Sequence, residues 1–568
     1  MDTPDIEAAK DKLRTGAESL AKGRTADAEA AFQAALALAP GYAPANHNLG
    51  LIRLRRGDAA LALPYLEDAA RAMPSGTTFL ALAECYEALG QPERAIEYYK
   101  PVLEQTDQTA ETWTNYAQLL EGCGRKEEAA AAYRAALSRD PGNVTAAIKL
   151  SWMVWRTDHQ QAIDLLEKCL SEAGENAASR IKVLGVLILF KEWKARIDAD
   201  RPPYHASSMN ELFFSAAANL LADFQRACET VLEGAPTDHW ARMNLGLAYF
   251  ASEDRESAQQ CFHAVGEATG NVMAKSVRFD AAFFDTLQSV SDADLLDGLP
   301  PVETARSVSF ADNDILYMAC NSTYFDAFAK PLLRSLADKG PESQIHVHLM
   351  DSAPDHTATV TDFCDSLAPL RIAVSVERPD LSKADIVTAR AYFHAIRFIR
   401  FYHHLQIYGK TLWLMDVDGL FNLPPATFFS SARDCDVAMR VRPGRLEPWN
   451  QFNACLFGVA PTERGLTYLH AAAAYIAHFY RLGPMAWGID QLAMYAAYID
   501  LERRGAAPTV HFLDEKVLDY DYRDDGVLWC SSGVTKFAAL NAKNAGTDPT
   551  ASPYDRAFAR YAGNDPRA

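Results

Sequence analysis

Two aspartates separated by one residue stand where an apolar run stops, in TLWLMDVDGLF at residues 411–421. The five residues Thr411 to Met415 read as a buried strand, and Asp416 and Asp418 follow at its carboxyl end, just ahead of Gly419. In extended backbone, positions i and i+2 project to the same side, so both carboxylates can serve one site. Such a pair repels itself unless water, a donor or a cation compensates, and a divalent metal carrying a diphosphate is a natural partner. Mg2+ and Mn2+ suit oxygen ligands, need few protein carboxylates and bridge phosphate oxygens. The plainer alternative is a turn with two solvated aspartates.

The elements that must position this pair are short β-like runs alternating with helical stretches. In order they are ILYMAC, a helix over 324–339, IHVHLMD, RIAVSVE, a long helix over 389–405, TLWLMDVD and CDVAMRV. Strands separated by helices predict an α/β sheet domain, and ligands of open α/β sheets sit beyond the carboxyl ends of the strands.

The chain ahead of this domain is built differently. Gly16, Gly23, Ala28 and Pro40 recur as Gly50, Gly57, Ala62 and Pro74, each displaced by 34 residues. The series continues through Gly90, Ala95 and Tyr99, then Trp113, Gly124, Ala129, Tyr133 and Pro141. Each unit fits two helices: a small residue lets them approach, a large one such as Phe32 or Tyr133 fills the groove, and proline ends the second helix. Period and residue types resemble the tetratricopeptide repeat. A poorer fifth unit spans 146–172, a later one carries Leu245, Gly246, Tyr249, Ala258 and Phe262, and 175–235 reads as helical but eroded. The predicted organisation is an all-α tetratricopeptide solenoid over 1–290, a linker over 291–311, an α/β domain over 312–545 and a polar tail over 546–568. The concave face of such a solenoid usually binds a protein or peptide; a rigid arm or self-association surface is the alternative.

Five segments of the α/β domain come in a telling order: YMACNSTYFDAF, YFHAIRF, MDVD, FNACLFGV and WGIDQLAMY. Together they resemble glycosyltransferases of the GT-A fold that use nucleotide-sugar donors, with family 8 the nearest likeness, over about 312–540. The resemblance implies a retaining transfer from a nucleotide sugar, a UDP-sugar by analogy, assisted by Mn2+ or Mg2+ at Asp416 and Asp418. It implies that Asn321 and Tyr324 hold the nucleotide, that Arg397 supports the acidic and phosphate site, and that Asn453, Asp490 and Gln491 contact the donor sugar. In LWCSSGVTKF, Gly533 and Lys536 match the family's last motif, and Lys536 would neutralise the leaving diphosphate. Cys530 stands where the family places a metal-ligating histidine, and a thiol is a poor ligand for these ions. Ala454-Cys455 likewise replaces Ser-Gly.

Each assignment has a plainer counterpart. Tyr324 can be a helix-start aromatic, Arg397 a surface ion-pair partner, Asn453 a turn former and Asp490 a helix N-cap. His346 and His348 share one face of a strand and can hold a metal, although hydrogen-bonded histidines on a half-buried strand are the favoured reading. Arg440, Arg442 and Arg445 can meet an anionic acceptor, with a solvated loop as the default, and the segment 514–522 can form an acceptor wall.

Composition removes other classes. Of 568 residues, 55 are basic and 74 acidic, a net charge of −19 that disfavours general nucleic-acid binding. The ten cysteines are scattered with no Cys-x-x-Cys pair, which suits reduced thiols in a cytoplasmic protein. The strongest apolar run, 183–190, is far shorter than the roughly 20 residues of a membrane helix, and the acidic start lacks the order of a secretory signal. A nucleotidyltransferase needs a Gly-rich phosphate loop that ACNSTYFD lacks. The remaining alternative to an enzyme is a tetratricopeptide adaptor whose sugar-transferase domain is weakened or inactive.

Overall fold

Paired helices fill the start of the chain: Thr3–Ala21 with Thr25–Leu38, Ala43–Arg55 with Ala59–Ala72, Gly76–Ala88 with Pro92–Leu103, Ala110–Gly122 with Lys126–Arg139, and Val144–Trp155 with His159–Glu172. The structure is a computed structural model and describes residues 3–562 apart from 106–107, 199–213, 215, 383, 385, 443, 521 and 531–551. The recurring glycines act at the helix crossings. A Cβ added to Gly50 would lie 2.6 Å from Leu66 Cγ, so only glycine lets that pair of helices close on the buried leucine. Phe32 and Tyr133 are fully buried in the grooves that the repeat spacing assigns them.

The chain divides into two units, 1–187 and 188–568, the second beginning inside the helix Ala177–Asp198. The second unit contains the helical pair His239–Ala251 with Arg255–Thr269, in which a Cβ on Gly246 would lie 2.8 Å from Phe262 Cε1. Aromatic contacts tie this pair to the sheet-bearing part of the same unit, with Phe250 and Tyr495 rings 5.2 Å apart and Phe262 and Trp449 5.7 Å apart.

The larger sheet has eight strands: β1 (Glu303–Arg306), β2 (Asp314–Cys320), β3 (Gln344–Met350), β4 (Arg371–Glu377), β5 (Thr411–Met415), β7 (Val437–Val441), β8 (Phe452–Val459) and β9 (Val510–Phe512). Their order is β1-β4-β3-β2-β5-β8-β7-β9. Strands β4, β3, β2 and β5 are mutually parallel, while β8 runs antiparallel to both β5 and β7, which makes the sheet mixed. One face of the parallel core, with Leu316, Met318, Val347 and Val374, packs on Leu332, Leu333, Leu336 and Val360 of the helices Lys330–Lys339 and Pro354–Asp365. The helix Ile386–Tyr408 lies against the sheet on its other side, its His404 within hydrogen-bonding reach of Tyr317 and Ser375. Strand β3 is buried along its whole length, not half-buried, because it is central in the sheet and covered on both faces.

A second, three-stranded sheet is made of β6 (Gly419–Phe421), β10 (Leu518–Asp519) and β11 (Leu528–Cys530), in the order β10-β11-β6. The segment expected to be a polar tail holds the helix Pro553–Ala562. Its Tyr554 and Phe558, four residues apart and thus on one face, join the apolar core. None of the ten cysteines is in a disulfide, and among the described residues no helix is long and apolar enough to cross a membrane.

Candidate functional site

The acidic pair occupies the step between the two sheets. Strand β5 ends at Met415 in the large sheet and β6 starts at Gly419 in the small one, so Asp416-Val417-Asp418 is anchored at both ends. The backbone there is a turn and not extended strand, yet both aspartates line one cavity of about 450 Å3. The Asp416 N–H donates to the Cys455 carbonyl at 2.9 Å, and the Tyr554 hydroxyl donates to the Asp418 carbonyl at 2.9 Å.

Arg397, Asn453, Asp490 and Gln491 line the same cavity. Arg397 reaches it from the middle of the helix Ile386–Tyr408 and is buried. Its Nη1 donates to Asp416 Oδ1 at 2.5 Å, its Nη2 lies 3.5 Å from Asp490 Oδ2, and its Nε donates to the His394 carbonyl. Burial pushes the Asp416 carboxyl up, but the charge and hydrogen bond of Arg397 outweigh it and hold the group below the usual carboxylate range. Asn453, on β8, uses Oδ1 to accept from the Cys455 N–H at 2.8 Å. Asp490 is not the N-cap of its helix: Gly488, with φ +88°, takes that place, and Asp490 lies in the first turn of Ile489–Arg503. Gln491 Oε1 accepts from Arg442 Nη1 at 3.2 Å.

Asn321 and Tyr324 stand elsewhere. They follow β2 on the same carboxyl-terminal edge of the sheet, but neither lines the cavity. Asn321 caps the short helix Ser322–Tyr324 by accepting from the Tyr324 N–H at 2.9 Å, and the Tyr324 ring packs 5.3 Å from that of Phe328. Lys536 and Gly533 lie outside the described residues. Cys530 is buried in β11 directly across from Gly419. Burial first, then the neighbouring Cys455 thiol and the two aspartates, push its thiol pKa up, so it is protonated at neutral pH.

The cavity also gathers Arg440, Arg442 and Arg445, so this arginine segment turns its charge inward and is not a solvated loop. Glu515 and Tyr520 of the 514–522 segment form another wall, with Arg440 stacked over the Tyr520 ring at 5.4 Å. Three further residues line it: Trp193, which carries no local sequence signal, and His394 and Trp487, which lie inside the segments YFHAIRF and WGIDQLAMY. They come from helices and loops up to 294 positions apart, and Trp487 is 64% exposed. The described lining balances four carboxylates (Asp416, Asp418, Asp490, Glu515) with four guanidinium groups. Such a lining suits a polar ligand that can meet both charges.

A larger cleft of about 850 Å3 opens at the opposite, amino-terminal ends of β2, β3 and β5. Two of its polar groups serve the fold: Gln344 binds the 311–314 backbone, and Asp314 accepts from Trp413 Nε1 at 2.9 Å.

Comparison with known proteins bears on the helical repeats. The Tetratricopeptide repeat family matches residues 15–77 and 80–144, and this stretch is a tetratricopeptide repeat array. The chain is 26% identical over 254 residues to Cellulose synthase 1 operon protein C of Komagataeibacter xylinus, covering 41% of this chain and 17% of that protein. It is 26% identical over 317 residues to Cellulose synthase operon protein C of Komagataeibacter sucrofermentans, covering 52% of this chain and 21% of that protein. It thus spans about a fifth of the length of these curated relatives. Among solved structures, a tetratricopeptide repeat protein from Parabacteroides merdae aligns at 16% identity and TM-score 0.34, covering 47% of this chain and 96% of that one. YrrB, a repeat protein with an unusual peptide-binding site, aligns at 21% identity and TM-score 0.27, covering 30% of this chain and 88% of its own.

Proposed function

We propose that the second unit is a GT-A-type glycosyltransferase that moves a sugar from a nucleotide-sugar donor, a UDP-sugar, to an acceptor recruited by the tetratricopeptide repeats. The observation that carries this reading is the convergence of Asp416, Asp418, Asn453, Asp490 and Gln491 on one cavity beyond the carboxyl ends of parallel strands. The names of the two curated relatives, which refer to a cellulose synthase operon, support a saccharide context.

The donor set tests whether a metal fits. Asp416 and Asp418 offer the hard oxygens that Mn2+ or Mg2+ prefer, and the Cys530 thiol is a poor ligand for these ions. The two aspartates would hold the ion, which when bound supplies positive charge against the leaving diphosphate. The chain's own groups do the rest. Arg397 keeps Asp416 ionised and fixed in place. Arg440, Arg442 and Arg445 supply further positive charge to phosphate oxygens, and Lys536 is proposed to do the same. The amides of Asn453 and Gln491 offer donors and acceptors to sugar hydroxyls, and Asp490 offers acceptors only. Transfer proceeds with retention by the family resemblance, and no covalent nucleophile is assigned.

The test is a screen of nucleotide sugars for hydrolysis with Mn2+, run on the wild type, Asp416→Ala and Asp418→Ala. Turnover in the variants should fall at least about 100-fold, as for loss of a main electrostatic group. Equal turnover would sink the proposed site. A second reading, an adaptor with a weakened domain, draws on Cys530 and on the prior claim of Arg397 on Asp416. Calorimetry with UDP-sugars and Mn2+ separates the two: binding with slow metal-dependent donor hydrolysis supports the enzyme, and no nucleotide binding at all favours the adaptor.

A further inference from the structure

On the sheet face opposite the apolar core lies a polar cluster that the candidate site does not use. Tyr317 of β2, His346 and His348 of β3 and Ser375 of β4 share this face, and His404 meets them from the helix that also carries Arg397. The three histidines are all buried, and their ligand atoms lie within 4.8 Å of one another. Ser375 Oγ sits among them, 2.7 Å from His346 Nε2, 2.8 Å from His348 Nδ1 and 3.5 Å from His404 Nε2.

The outward nitrogens decide the protonation pattern. His404 Nδ1 is 2.8 Å from the Arg400 carbonyl, which only accepts, so the proton is on Nδ1 and Nε2 is a lone pair. His348 Nε2 has no hydrogen-bond partner among the described residues, and Glu377 Oε1 is 3.7 Å away. With its proton facing that carboxylate, His348 also turns a lone pair inward. Ser375 then has one proton for two buried lone pairs. The other tautomer of His348 is worse, since it faces a lone pair toward the carboxylate. A buried acceptor left unmatched costs its desolvation without return, so the cluster calls for another electrophile.

We propose that this cluster is a binding site for one borderline transition-metal ion of the Zn2+ type, with His346 Nε2, His348 Nδ1 and His404 Nε2 as ligands and Ser375 Oγ displaced to a fourth position. Neutral imidazoles are the ligand form such ions take, and no proton has to leave His348 or His404. Two outer nitrogens have the kind of partner that fixes a ligating ring, the Tyr408 hydroxyl at 2.7 Å for His346 and the Arg400 carbonyl for His404, and the third, on His348, faces Glu377 at 3.7 Å. Glu377, itself paired with Arg400 at 2.5 Å, lies behind the His348 ring on the side away from the ligand nitrogen. The ion ties β3 to the helix Ile386–Tyr408. The site is separate from the sugar-transfer reading and stands or falls without it.

The test is the zinc content of the full chain folded with Zn2+, measured in the Asp416→Ala/Asp418→Ala background so that the acidic pair contributes nothing. About one zinc per chain is expected after desalting, and Co2+ in its place should give the visible absorption of a four-coordinate ion. His348→Gln and His404→Gln should each lower affinity at least about tenfold, whereas Ser375→Ala, which keeps all three imidazoles, should retain the metal. A folded chain without zinc overturns the proposal, whatever the variants do. Zinc content unchanged in both histidine variants overturns it as well, and either result leaves a hydrogen-bonded core.

Discussion

Arg397 bridges two carboxylates that are 74 positions apart in the chain, with Nη1 2.5 Å from Asp416 Oδ1 and Nη2 3.5 Å from Asp490 Oδ2. The arginine is buried, so this is one guanidinium held between a strand end and a helix start, away from most competing water. It sets the spacing of the cavity walls before any ligand arrives.

Removing Arg397 alone leaves two carboxylates facing each other without a counter-charge. Arg397→Ala is expected to destabilise the second unit by about 3–5 kcal/mol. In Arg397→Ala/Asp416→Ala the loss should be smaller than the sum of the two single losses. Thermal denaturation of the four proteins measures this, and additivity within about 0.5 kcal/mol would mean that the pair is not coupled.

Asp416 also gives the protein a particular response to acid. Burial raises its pKa, Arg397 lowers it by more, and the net folded value lies below the ordinary one. The stabilisation from its ionised form is therefore complete above about pH 4 and is lost as pH falls through the lower folded value. Asp416→Asn removes that contribution. The stability gap between wild type and variant should be constant from neutral pH down to about pH 4 and shrink below it. Denaturant titrations across this range read the gap directly; a gap that widens in acid contradicts the assignment.

The repeats make a sharp contrast between two glycines. Gly50→Ala puts a methyl group 2.6 Å from Leu66 Cγ and is expected to cost about 1–3 kcal/mol. Leu66→Ala in the same chain should recover part of that loss. Gly122 ends a helix with nothing within 4 Å of an added Cβ, so Gly122→Ala should be neutral or stabilising by up to about 1 kcal/mol. Equal effects at the two positions would show that the close crossing does not govern packing.

The repeat register and the parallel strands were legible because their signals are local. Gly50 and Leu66 sit within one 34-residue unit, and Thr411–Met415 is a continuous apolar run that stops at a charge. The cavity was legible where a motif lies at a strand end, as with Asp416, Asp418 and Asn453. Asn321 is different: the same Asx side chain that suits a ligand also suits a helix start, and here it caps the Ser322–Tyr324 turn. Trp193 had no signal, since its neighbours do not announce a site, whereas His394 and Trp487 sit inside the segments YFHAIRF and WGIDQLAMY. The inward turn of Arg440, Arg442 and Arg445 depends on β7, β8 and the 514–522 segment meeting, which no window of sequence contains.

The hydrogen bond from Tyr554 to the Asp418 carbonyl has a consequence for how the protein is made. Residues 1–187 contact mainly one another and can fold while the rest of the chain is still on the ribosome. The acidic turn cannot do so. Its sheet partner is β11, which emerges more than 100 residues later, and its backbone support arrives only with residue 554. The repeats can therefore be folded well before the turn at Asp416 and Asp418 is locked.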